Sequence, residues 1–191
     1  MTPRGALIAG GVVVVAAVLG VLMFGGLPWW RDRPAAKAAV AGPAQAPAAP
    51  GRKIKARLFY VAEDGLRLTE IERDVAYGEG TLEQAREIIA AQIAPVAEPL
   101  VSAVPAGTTL RALFIATRGE AYVDLSRDVV SAHPGGTLSE ALTVYALVHA
   151  LTVNLPAVTS VQILVDGKEV DTLAGHVDLR RPLAKNLAWV Q

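Results

Sequence analysis

The sequence predicts an α+β domain: two strand–strand–helix units plus a C-terminal hairpin, with helices packed on one face of a mixed sheet, preceded by one transmembrane helix. Three observations carry this. Short runs of alternating apolar residues come in pairs around glycine-containing turns. The tetrads Thr81-Leu-Glu-Gln84 and Thr137-Leu-Ser-Glu140 each open a helical stretch, and a charge-free apolar run from Ala6 to Pro28 precedes them all. The 191 residues have no formal net charge and no cysteine. Length and balance fit one anchor (1–33), an Ala/Pro-rich linker (34–53) and one domain (54–191).

The apolar run is long enough to cross a bilayer, which takes about 20 residues of helix. Trp29-Trp30-Arg31-Asp32-Arg33 follows it, and paired indoles backed by guanidinium groups suit a membrane–water boundary. A cleaved signal peptide has an apolar stretch of only about 7–15 residues, so an uncleaved anchor is the better reading. Arg4 precedes the span, whereas Arg31, Arg33 and Lys37 follow it. Positive-inside counting alone therefore leaves the domain in the cytoplasm. Beyond the span, Pro34 to Gly51 is almost entirely Ala, Pro and Gly. It lacks large side chains to bury, and its prolines stiffen it into an extended spacer.

Ile54 to Val61 reads as a strand, Glu63-Asp64-Gly65 as a turn and Leu66 to Val75 as the returning strand. At Thr81 to Gln84 a capping box is expected, with the hydroxyl and the Gln each reaching a free backbone amide. The helix behind it places Leu82, Ala85, Ile89 and Ile93 on one stripe, and Pro95 ends it. After a Pro- and Ala-rich stretch to Gly107 come two strands, Leu110 to Ala116 and Ala121 to Leu125, around Arg118-Gly119-Glu120. A second capping box at Thr137 to Glu140 opens the longest helix, about Leu138 to Asn154, ended by Pro156. Ser160 to Val165 is an apolar strand, Asp166-Gly167-Lys168 a turn, and Glu169 to Leu173 the returning strand.

Several segments, in order, resemble the GerMN domain family: Leu110-Arg-Ala-Leu-Phe-Ile115, Ala121-Tyr-Val-Asp-Leu-Ser126, His133-Pro-Gly-Gly136, Glu140, Val161-Gln-Ile-Leu-Val-Asp-Gly-Lys168 and Gly175-His-Val-Asp-Leu179. The resemblance covers nearly all of Ile54 to Leu183. It implies a small α/β domain outside the cytoplasmic membrane of a bacterium, non-enzymatic, that binds ligands or assembles with partner proteins. It also implies the opposite orientation to the charge count, with the domain extracytoplasmic, and that orientation is adopted. The family's sporulation protein carries the domain twice and this chain once, so a general envelope role is expected.

Residue chemistry narrows the classes further. Nucleic acid is not an expected partner, because phosphate binding rests on clustered Lys and Arg and this chain has no such run. Asp124, Ser126, His176 and Asp178 offer the residue types of a nucleophile–base–orienter set, but no Gly-x-Ser-x-Gly elbow exposes Ser126. No catalytic residue is therefore assigned, and Asp124 and Ser126 are expected to bond backbone amides. His133, His149 and His176 are not spaced as ligands on one element and no cysteine assists, so neither metal nor cofactor is expected. His149 lies on an apolar helical stripe with Leu138, Leu142, Tyr145 and Thr152, as a packed, hydrogen-bonded histidine would. If a small ligand binds, Asp124, Ser126, His133 and His176 are the expected lining.

Glu140 is the sole charge from Leu138 to Asn154. The other face of that helix holds Ser139, Thr143, Ala146, Leu147 and Ala150, then Asn154. So neutral a surface must be covered. Either another layer of the domain covers it, or it is an interface for an envelope protein or a second copy, and these residues are the interface candidates.

Overall fold

A computed structural model describes residues 51–191. The apolar run Ala6 to Pro28, its aromatic flank and most of the linker lie outside the described residues. Among those described, no helix is long and apolar enough to cross a membrane.

Strand β1 (Lys53–Val61) pairs antiparallel with β2 (Leu68–Ala76), forming a ribbon that joins no other sheet. Helix α1 (Gly80–Ile93) follows. A five-stranded mixed sheet comes next, built from β3 (Leu110–Ile115), β4 (Glu120–Leu125), β5 (Ser160–Val165), β6 (Lys168–Glu169) and β7 (Leu183–Ala184). β3 and β4 are antiparallel, and β4 and β5 are parallel. The crossover between β4 and β5 contains the short α2 (Asp128–Ser131) and the long α3 (Thr137–Asn154). A 3-10 turn at Leu187–Trp189 closes the described chain.

The α+β class and the mixed sheet stand as expected, but the strands do not form one sheet. β1–β2 is a separate layer, and α3 touches β1 and α1 as well as β5 and β7. This explains the neutral helix surface, and it corrects the interface reading. Thr143, Ala146, Leu147 and Ala150 are all buried inside the domain, and Ser139 is half-buried. A helix with apolar neighbours all round carries apolar residues all round, so no single stripe could be read from it. Each fully buried Leu or Val in this layer contributes about 1.5–3 kcal/mol.

Neither capping box forms. Each helix starts at a residue whose side chain makes no cap bond, Glu79 for α1 and Gly136 for α3. Gln84 instead turns back to the end of β2, accepting from the Gly78 N–H (3.0 Å) and donating to the Ala76 carbonyl (3.1 Å). Gly78 permits this approach, because a Cβ there would lie 2.3 Å from the Gln84 backbone nitrogen. The expected strand from Glu169 to Leu173 shrinks to Lys168–Glu169, since β7 pairs with the start of the same β5 strand and the chain between them leaves the sheet, with Leu173 and Leu179 buried in the core. The Asp166-Gly167 turn holds positive φ at both residues (50° and 76°), the type I′ signature of a two-residue hairpin.

The ribbon shows how side chains finish the backbone ladder. On the edge of β1 away from β2, Asn154 accepts from the Arg57 N–H (2.9 Å) and donates to the Arg57 carbonyl (2.7 Å). Gln92 does the same for Phe59 (2.9 and 2.7 Å). Val101 then accepts from the Val61 N–H (2.9 Å). Two amide side chains and one backbone carbonyl thus replace a third strand, leaving no free donor there from Arg57 to Val61.

Candidate functional site

Asp124 and Ser126 come from the C-terminal end of β4, in the middle of the five-stranded sheet. Asp124 is nearly buried. One carboxylate oxygen accepts from the Gly167 N–H (2.7 Å) and the other lies 3.3 Å from Arg111 Nε. Arg111 also reaches Asp166 (3.4 Å), so a single guanidinium ties β3 to the β5–β6 turn. Ser126 Oγ accepts from the Thr109 N–H (3.0 Å) and donates to Asp128 (2.8 Å). Its hydroxyl joins two chain segments, and among the described residues no histidine is hydrogen-bonded to it.

His133 lies between α2 and α3. Its Nδ1 accepts from the Gly135 N–H (3.0 Å), which places the proton on Nε2, and Nε2 donates to Thr143 Oγ1 (3.1 Å). That hydroxyl in turn donates to the Ala103 carbonyl (2.6 Å). Burial holds the His133 pKa below its usual value, against the attraction of Glu140, so the ring is neutral at pH 7. His149 sits in the core between the rings of Phe59 and Tyr145, and its Nε2 accepts from the Asn186 N–H (3.1 Å). Burial lowers its pKa too.

Sequence reasoning missed the role of Glu140. This carboxylate is fully buried in the first turn of α3. One oxygen accepts from the Leu173 N–H (2.7 Å). The other accepts from the His176 N–H (2.8 Å) and lies 3.2 Å from His176 Nδ1. Burial pushes its pKa up. The amides of Ala174, Leu173, His176 and Val177 outweigh that and hold it below the usual carboxylate range. The signal was present in the sequence as the lone charge of an apolar helix. Its partners lie 33 and 36 residues away, where no local rule reaches.

The four residues expected to line a ligand site therefore fall into two places. Asp124 and Ser126 finish β4, whereas His133 and His176 attach to α3 through Thr143 and Glu140, one helical turn apart. Among the described residues, no group of three or more His, Asp or Glu is arranged to hold a metal ion. Beyond the end of β4 lies a cleft of about 330 Å³ whose lining includes Arg127, Val130, Val165, Asp166, Lys168 and Glu169. None of Asp124, Ser126, His133 and His176 lines it.

Comparison with known proteins agrees with this architecture. A candidate lipoprotein of Clostridium perfringens has a similar fold, with a TM-score of 0.50 and 23% identity, over 70% of this chain and 88% of that one. The tandem GerMN domains of the sporulation protein GerM from Bacillus subtilis match with a TM-score of 0.52 and 16% identity, over 71% of this chain. The match spans 46% of the GerM chain, as one domain of a pair would. Comparison with curated proteins gives no significant match. The Germane family, described as sporulation and spore germination, matches residues 57–171, which include part of β1 and all of β2, α1, β3, β4 and α3. With more than half of its length matched and a GerMN-like fold behind that match, the chain belongs to the Germane family.

Proposed function

We propose that this chain is a membrane-anchored protein of the bacterial cell envelope whose GerMN-like domain is a protein-interaction and assembly module without bond chemistry of its own. One observation carries the reading: Asp124, Ser126, His133 and Glu140 are each engaged within the fold, tying one chain segment to another. The Ser126 hydroxyl is taken up in joining the Thr109 backbone to the Asp128 carboxylate, and among the described residues no histidine is within hydrogen-bond reach of it.

The anchor assignment rests on the run Ala6 to Pro28 and its Trp-Trp-Arg flank. Likeness to a candidate lipoprotein supports a place at a membrane. This sequence has no cysteine to carry a lipid, so the apolar span takes that role, with the domain on the outer side of the inner membrane. Protease added to spheroplasts tests this directly. The domain is expected to be degraded in intact spheroplasts while a cytoplasmic control survives. Protection of the domain until lysis overturns the orientation, and recovery of full-length protein without detergent overturns the anchor. Site-specific photocrosslinking from exposed positions of the domain tests the interaction role, which fails if no discrete adduct forms at any position.

The 330 Å³ cleft favours a second reading, a small-ligand carrier. A ligand that binds the folded state alone raises the melting temperature by mass action. Envelope metabolites that leave it unchanged at millimolar concentration sink that alternative.

A further inference from the structure

The outer edge of β1 is closed from Arg57 to Val61, whereas the middle of the β2 edge is not. Arg57 and Phe59 direct their backbone groups to Asn154 and Gln92, away from β2. Their register partners Glu72 and Glu70 therefore direct theirs away from β1 as well, because paired residues across an antiparallel ladder share one bonding sense. The same alternation turns Leu68, Asp74 and Ala76 outward. Leu68 is occupied, since its carbonyl accepts from the Gln191 N–H (3.0 Å), and the Ala76 carbonyl accepts from Gln84 (3.1 Å). Among the described residues, nothing bonds the outward N–H and C=O groups of Glu70, Glu72 and Asp74. The result is a strand edge closed at both ends and open for five residues in the middle.

On one face the side chains along this opening have one sign, whereas Arg73 on the other face reaches the Tyr60 hydroxyl (3.3 Å). Glu70, Glu72 and Asp74 lie on the same face, at every second position, and all are exposed. Lys55 pairs with Asp74 (2.8 Å) and Arg57 lies 3.6 Å from Glu70, so Glu72 has no ion-pair partner of its own among the described residues, although it feels the charge of Lys55. A second copy docking antiparallel about Glu72 would place Glu72 against Glu72 and Glu70 against Asp74. Like charges directly opposite one another destabilise such a pair.

We propose that the open edge of β2, Glu70 to Asp74, is a docking site for an extended segment of a partner protein. That segment carries Lys or Arg at alternate positions and adds to the ribbon as a third strand. Main-chain bonds to residues 70, 72 and 74 supply the pairing, and the alternating cations fall opposite the three carboxylates. A neutral or acidic strand would form the same ladder without that match, and this is how the edge selects its partner. The proposal rests on reading the domain as an interaction module and names the surface and the chemistry of the contact.

The probe is a short peptide alternating lysine with threonine, titrated into the full-length chain in detergent. Hydrogen exchange at the amides of residues 70, 72 and 74 is the structural readout. The peptide is expected to bind and to slow exchange at those amides. Glu72→Pro removes an outward N–H that β1 does not use, and about tenfold weaker binding is expected. Glu72→Lys is expected to weaken binding to a similar degree. Methylating the peptide's alternate amide nitrogens tests the same bonds without altering the protein, and it too should weaken binding about tenfold. Equal binding of a peptide with its lysines grouped in one block, of the methylated peptide or by the proline variant overturns the proposal. So does slowed exchange elsewhere with none at Glu70 to Asp74, absence of binding, or dimerisation of the chain through this edge. If photocrosslinks form on the domain but persist in Glu72→Pro and Glu72→Lys, the docking edge is wrong while the interaction reading stands.

Discussion

Helices α1 and α3 open on the same kind of tetrad, Thr-Leu-Glu-Gln in one and Thr-Leu-Ser-Glu in the other, yet the two polar residues at its end have different fates. Gln84 of α1 bonds backbone 6 and 8 residues away, so its reach is local. Glu140 of α3 bonds a loop 33 and 36 residues on and fixes a distant segment to the helix. The difference lies in where each helix sits. α1 keeps an exposed face with Glu83 paired to Arg86, whereas α3 is enclosed by the ribbon, α1 and the sheet. A carboxylate inside that enclosure is stable only where several amides converge on it.

A charge placed on each helix gives the sharpest contrast. Ala146→Glu in α3 buries an unpaired carboxylate and is expected to prevent folding, a loss of more than about 5 kcal/mol. Ala90→Glu on the exposed face of α1 is expected to change stability by no more than about 0.5 kcal/mol. Urea denaturation of both variants checks this, and equal midpoints would erase the distinction between the helices. Next in size is Glu140→Gln. It sets an NH2 group against amide donors and should cost about 2–4 kcal/mol, with exchange at Leu173 and His176 accelerated first. Gln84→Ala removes the local counterpart and should cost about 1–2 kcal/mol, without effect on the Leu173 loop.

The pH dependence of stability should show both kinds of burial. His133 and His149 have lowered pKa values in the folded state, so the unfolded chain binds more protons once pH falls below about 6.5. Their contribution is whole above that value and declines below it. The Glu140 pKa is lowered too, so its contribution is whole above the ordinary carboxylate value and disappears as pH falls through the lowered one. Glu140→Gln should remove the Glu140 part of the acidic step and leave the histidine step in place. Loss of both steps in this variant would mean that the three groups titrate as one unit. The smallest effect is expected at Asp178, whose pKa is held down by Arg180 at a fully exposed site, and Asp178→Asn should leave the unfolding midpoint almost unchanged.

Strands, turns and helix limits were legible in the sequence because alternation, positive-φ turn residues and prolines act within a few positions. β5 occurs at Ser160–Val165 as read, and α3 is within one residue of its expected start. What the sequence could not disclose was which elements neighbour one another. Nothing local distinguishes a ribbon that joins the main sheet from one that stands apart. The neutral face of α3 correctly signalled a cover and could not say that the cover was internal. Four amide side chains, Gln84, Gln92, Asn154 and Gln162, bond backbone where a strand or a cap would otherwise serve. In a linear reading they look like ordinary polar residues, because their roles depend on segments brought together by folding. At the site, residue types were legible and convergence was not: His133 and His176 both bond side chains near the start of α3, whereas Asp124 and Ser126 belong to the end of β4.

The double bonding of β1 has a mechanical meaning. The described chain enters the domain through this strand, and from Arg57 to Val61 it is held on one flank by β2 and on the other by Asn154, Gln92 and Val101. Tension applied at Gly51 along the strand must shear both flanks together, whereas tension across a free hairpin would peel its rungs one after another. Load entering the described chain at its first strand would thus meet a segment braced on two sides.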